Sequence, residues 1–112
     1  MSLVKPIPIH LLPDMVTYEE YEGSERWGDT WKVPVTLSNV RVEDMTSLTM
    51  SNIREQREFK ALLFFDVVNS KSDIPFTFIE KSKVTHNGVE YVVNKVTPVR
   101  AFKLHHFEVE LV

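Results

Sequence analysis

Two adjacent histidines, His105 and His106, are the side chains best suited to hold a metal ion or move a proton. They stand in Leu104-His105-His106-Phe107-Glu108-Val109-Glu110-Leu111, which alternates as a β-strand does. Successive residues of a regular strand point to opposite faces, so the two rings are not expected to converge on one ion. His105 falls in phase with Phe107, Val109 and Leu111, near the core, whereas His106 falls with Glu108 on the polar face. That supplies too few ligands for a zinc centre, and no metal is expected. Among 16 acidic residues, Glu19, Glu20 and Glu22 lie on one strand that reads as exposed. Acids in such a place serve solubility better than general acid–base catalysis. Ser, His and Asp all occur, but no nucleophile elbow, phosphate-binding loop or zinc-helix motif surrounds them. The chain has no cysteine, which excludes disulfides, thiolate metal sites and cysteine nucleophiles. Nothing here fills the roles that an enzyme site requires, and neither catalysis nor a cofactor is expected.

Binding chemistry is equally sparse. The net charge is −3, and the 13 Lys and Arg residues are spread along the chain. A protein that grips nucleic acid presents a basic face, because phosphate neutralisation supplies most of its affinity. Trp27, Trp31, Phe64, Phe65, Phe102 and Phe107 could form a base-stacking platform, but Lys32 and Lys103 are too isolated to follow a phosphate backbone. Core packing is the better account of these aromatics. The longest apolar run, residues 61–65, is too short to span a bilayer, and the N-terminus lacks the pattern of a signal peptide. No membrane partner is expected.

The elements that must position these residues read as strands and turns. At 112 residues, with 43% hydrophobic and 26% charged residues, one domain spanning 1–112 is expected. Residues 1–12 form an extended arm with two prolines. Residues 15–22 suit a half-exposed strand, and residues 22–29 a glycine-containing loop whose end is bracketed by Trp27 and Trp31. Trp31, Val33, Val35 and Leu37 sit at odd positions, whereas Val40 and Val42 sit at even ones. A period of two cannot slip in that way without a β-bulge or bend near Ser38-Asn39, the device that closes a small barrel. Residues 44–58 are polar, with Met45, Leu48, Met50 and Ile53 as the apolar points. They read as a long mobile inter-strand loop in which a short helix could form. Residues 59–69 contain the most apolar strand, residues 74–80 a further strand, and Asn87-Gly88 a tight hairpin turn. Pro98 is expected to end the strand before the last one, residues 102–112. The fold class is therefore all-β, a small antiparallel barrel of about six or seven strands with one long loop.

Four stretches in order carry a resemblance. They are Val40-Arg41-Val42-Glu43, Ala61-Leu62-Leu63-Phe64-Phe65-Asp66, Val84-Thr85-His86-Asn87-Gly88-Val89-Glu90-Tyr91 and Leu104-His105-His106-Phe107-Glu108-Val109-Glu110-Leu111. Over roughly residues 10–112 the chain resembles the minor capsid proteins of phages and prophages of Gram-positive bacteria. Those proteins are similar to the head–tail connectors, or stoppers, of long-tailed phages. The resemblance implies a compact β-barrel without catalytic residues, made in the host cytoplasm and then held in the virion neck. There it would form a ring under the portal that closes the DNA exit and docks the tail. Implied partners are the portal or adaptor protein, a tail-completion protein and copies of the chain itself, with genomic DNA passing without tight binding. Residues 44–58 occupy the place of the tunnel-facing loop, with Met45, Leu48, Met50, Arg54 and Arg57 as candidate tunnel or subunit contacts. The alternatives are another neck component, such as a tail-completion protein, or a host nucleic-acid-binding β-barrel.

Overall fold

The period-two patterning closes on itself in the computed structural model, which describes residues 5–44 and 59–112. A turn of 3-10 helix at Ile9–Leu11 precedes β1 (Asp14–Glu19), β2 (Tyr21–Glu25), β3 (Gly28–Trp31) and β4 (Val35–Asp44). There follow β5 (Ala61–Asp66), β6 (Lys71–Ser72), β7 (Lys83–His86), β8 (Val89–Ala101) and β9 (Lys103–Leu111). The antiparallel order β1-β7-β8-β9-β5-β4, with β4 pairing back onto β1, makes a closed six-stranded barrel. β6 is an extra strand on β4, and β2–β3 is a separate hairpin. Closure satisfies the backbone donors and acceptors that an open sheet would leave along its edges.

The interior is filled by alternate residues of these strands. Tyr18, Leu37, Val40, Ala61, Leu63, Val84, Val109 and Leu111 are fully buried. Each such Val or Leu contributes about 1.5–3 kcal/mol relative to exposure. β5 is the strand with the largest buried share: Ala61, Leu63 and Phe65 face inward, Asp66 is also buried, and Leu62 and Phe64 are half-buried on the outer face.

Leu37 and Val40 are three residues apart yet both point inward, which a regular strand forbids. The register explains it: Met15 pairs with Ser38 and Asp14 with Val40, so Asn39 is left over. Asn39 has φ 55, a left-handed conformation that asparagine tolerates. The expected bend is therefore present, and through it β4 pairs with β1 before the bend and with β5 after it. The Asn87-Gly88 turn also forms as expected. Its two residues have φ 51 and φ 80, and His86 pairs directly with Val89.

Three expectations need correction. Residues 22–29 are not a loop but most of the β2–β3 hairpin, with Arg26 and Trp27 at its tip. Glycines read as loop residues, Gly23 and Gly28, instead take positive φ within the hairpin, and Tyr21 packs edge-on against Trp31 across it. Residues 74–80 form no strand; the Thr77 and Ile79 amides bond to side chains instead, as described below. Pro98 does not end β8, which continues to Ala101. Beyond Val93 the side of β8 away from β9 has no strand partner among the described residues, so a residue without an N–H is accommodated there.

The registers also sort the barrel into two ends. β1, β5 and β8 run one way, and β4, β7 and β9 run the other. One end therefore gathers the β2–β3 hairpin, the β5–β6 turn and the β8–β9 tip. The opposite end carries the Asn87-Gly88 turn, the end of β9 and the junctions at Asp44 and Ala61.

Candidate functional site

The end carrying the hairpin tips is built from polar groups that replace missing ladders. Residues 76–79 cross it without regular secondary structure. Thr77 N–H donates to Glu20 Oε1 at 2.8 Å, and Ile79 N–H donates to the Tyr18 hydroxyl at 2.9 Å. That hydroxyl donates to the Thr77 carbonyl at 2.6 Å and lies 3.0 Å from Ser82 Oγ, which accepts Tyr21 N–H at 2.9 Å. Phe76 and Phe78 are thereby held against Tyr18 and Phe65 in edge-to-face contacts of 5.3–5.5 Å. They flank a recess of about 360 Å³ lined by Phe65, Phe76, Thr77, Phe78 and Phe107. Burial pushes the Tyr18 phenol above its ordinary range, with a smaller push from the Glu20 charge, so it remains a neutral donor.

Glu20 overturns one sequence expectation. It is not a solubilising surface acid but is buried, paired with Lys32 Nζ at 3.0 Å. Burial raises its pKa, and the Thr77 amide and Lys32 together outweigh that and hold the carboxyl below its usual range.

Asp66 is the second polar node. Its buried carboxylate accepts Ile7 N–H at 3.0 Å on one oxygen, and Val68 and Asn69 N–H at 3.0 and 2.8 Å on the other. Asn69 returns a bond to the Ile7 carbonyl at 2.7 Å, and Ser70 Oγ donates to the carbonyl of Asn39 at the β4 bend. The chain before β1, the β5–β6 turn and the bend are thus tied at one point.

His105 and His106 do meet, contrary to the alternation argument. Val99 pairs with His106 and Arg100 with Leu104, so His105 is bulged out of the ladder. Its ring leaves the core phase and stands beside that of His106, Nδ1 to Nδ1 at 2.8 Å. His105 Nε2 contacts the Lys5 carbonyl at 2.7 Å, and His106 Nε2 contacts Glu108 Oε2 at 3.0 Å. No cluster of three or more potential metal ligands occurs among the described residues.

The aromatics divide differently from the expectation that all of them pack in the core. Phe65 and Phe107 belong to it, while Trp31 is half-buried, donating to the Lys81 carbonyl beneath Lys83 Nζ. Trp27 and Phe102 are instead 84% and 87% exposed at two hairpin tips. Phe102 has φ 71, uncommon for a bulky residue. Its signal was present in the sequence, since Phe102 is out of phase with Phe107, Val109 and Leu111. Phe64 faces outward and, with Ile7, Leu11, Leu12, Arg41 and Glu43, lines a shallow groove of about 330 Å³.

The candidate contact residues Met45, Leu48, Met50, Arg54 and Arg57 lie outside the described residues. Their flanks are defined: the β4–β5 ladder continues to the pair Asp44 and Ala61, so the chain leaves and re-enters the barrel side by side. No helix among the described residues is long and apolar enough to cross a membrane. None of the curated proteins matches the chain. A family model described as minor capsid protein matches residues 8–111.

Proposed function

Because the chain belongs to the minor capsid protein family, we propose that this structural protein of the bacteriophage particle acts in the neck, as a head–tail connector of the stopper type. Copies assemble as a ring under the portal or adaptor, close the DNA exit after packaging, and offer the other face to a tail-completion protein. Assembly takes place in the host cytoplasm, and the finished ring stays in the virion.

The observation that carries this reading is the geometry of the β4–β5 junction. A segment of residues 45–58 is inserted between two strands that remain paired up to Asp44 and Ala61, at the end of the barrel away from the β8–β9 tip. An insertion with fixed, adjacent roots can be repeated around a symmetry axis, where identical contacts multiply. Met45, Leu48 and Met50 are then the packing residues, and Arg54 and Arg57 the polar contacts. A net charge of −3 also suits a tunnel that DNA must leave without sticking.

Deletion of residues 46–56, with the barrel kept intact, tests the assignment. Heads assembled with the shortened protein should lose encapsidated DNA, measured as nuclease-protected genome per particle. Heads that keep their DNA and join tails at the normal rate would remove the closing role. Loss of tail joining with DNA retained would make the protein a docking surface alone.

A further inference from the structure

We infer that His105, His106 and Glu108 form a one-proton latch that fastens the start of the described chain to β9. The count follows from the three contacts alone. A backbone carbonyl and a carboxylate oxygen only accept, so the Nε2 atoms facing Lys5 O and Glu108 Oε2 must both carry hydrogen. The contact between the two Nδ1 atoms, at 2.8 Å, needs one hydrogen more. Three hydrogens are required, and two neutral imidazoles supply two. The chain of bonds closes only when the group holds one extra proton. Placing that proton on Glu108 moves it from one address to another and leaves the count unchanged.

Surrounding charges come from every neighbouring element. Lys5 lies on the segment held by the latch, Asp66 is the ladder partner of His106 on β5, and Arg100 is next to its partner Val99 on β8. Lys103 and Glu110 lie on β9 itself. Across Phe64, whose ring is 6.1 Å from that of His106, Arg41 and Glu43 on β4 pair with each other. His106 is largely enclosed, its side chain 13% exposed, so water cannot freely replace a lost partner. When the extra proton leaves, one contact fails, and the weakest point is the bond to the Lys5 carbonyl, which is exposed while the other two are partly buried. Pro6 and Ile7 line grooves beside Leu104 and Phe64, and the hydrogen bonds of Ile7 to Asp66 and Asn69 are then what anchors this stretch.

Glu108→Gln separates proton counting from simple packing. A glutamine amide donates to a neutral His106, so the same chain of bonds closes with no extra proton. The test is amide exchange of Ile7, read as a protection factor by NMR between about pH 5 and pH 8, where histidine charge ordinarily changes. In the native protein protection should fall by roughly tenfold across that range, the worth of one hydrogen bond to a charged group. In Glu108→Gln it should stay flat at the latched value, and in His105→Ala flat at the released value. Matching pH profiles for native protein and Glu108→Gln, with both folded by circular dichroism, would overturn the latch. So would two histidines that titrate without any response at Ile7.

Discussion

Tyr18→Phe isolates what one hydroxyl does for the barrel. The ring stays, with its edge-on contacts to Phe76 and Phe78 at 5.3 Å, so packing is nearly unchanged. Three partners lose their bond: the Thr77 carbonyl, the Ile79 amide and Ser82 Oγ. A satisfied hydrogen bond nets about 0.5–1.5 kcal/mol, and a buried group left without one costs about 1–3 kcal/mol. Ser82 is fully buried, whereas at the barrel end Thr77 is exposed and Ile79 partly exposed, and both regain some solvation. The sum is roughly 2–4 kcal/mol, or a fall of about 8–16 °C in Tm for a domain of this size. Urea unfolding followed by fluorescence gives the value, with an unchanged slope showing that the folded state is the same. Because Ser82 shares the hydroxyl, Ser82→Ala combined with Tyr18→Phe should cost less than the two separately. A Tyr18→Phe protein within about 0.5 kcal/mol of the native one would refute the assignment of residues 76–79 as a segment held by side chains.

Two further outcomes follow from the same geometry. Gly88→Val should destabilise by roughly 1–3 kcal/mol in thermal unfolding; φ is +80 and no atom lies within 4 Å, so the cost is conformational strain alone. Glu20→Gln should flatten the acid limb of stability against pH. The Glu20 carboxyl titrates below its usual range when folded, so its contribution is present above about pH 4.3 and is lost as pH falls through the folded value. An acid limb identical in the two proteins would show that Glu20 is not held by Thr77 and Lys32.

Much of the barrel was legible because period-two alternation is a local signal. The phase slip between Leu37 and Val40 located the bend, and Asn87-Gly88 located a hairpin turn, each from residue types within a few positions. What escaped was decided by distant partners. Residues 74–80 have strand-like composition, but their hydrogen bonds go to Tyr18 and Glu20, some 57–61 positions away. Glu20 looks exposed beside Glu19 and Glu22, and only the crossing of residues 76–79 over the barrel end buries it. The histidine pair departs from the alternation for a different reason. Alternation holds only in an unbroken ladder, and a single bulge at His105 reverses its face. Pro98 reads as a stop because its missing N–H is costly in a central strand, and the side of β8 without a strand partner among the described residues removes that cost.

The two ends of the barrel bear on the neck assignment in complementary ways. A subunit seated between head and tail meets unlike neighbours, and a barrel with equivalent ends would have no way to distinguish them. Here the asymmetry is chemical as well as topological. One end is stiffened by the Tyr18, Glu20 and Asp66 networks and presents Trp27 and Phe102 on hairpin tips. Exposed tryptophan and phenylalanine are residues that interfaces favour, and a rigid mount lowers the entropy lost when they dock. The other end carries the inserted segment on paired strand roots at Asp44 and Ala61. In a ring built from such subunits every copy presents the same end the same way, because rotation about the ring axis cannot invert a subunit. The connector role proposed above requires such a polarity.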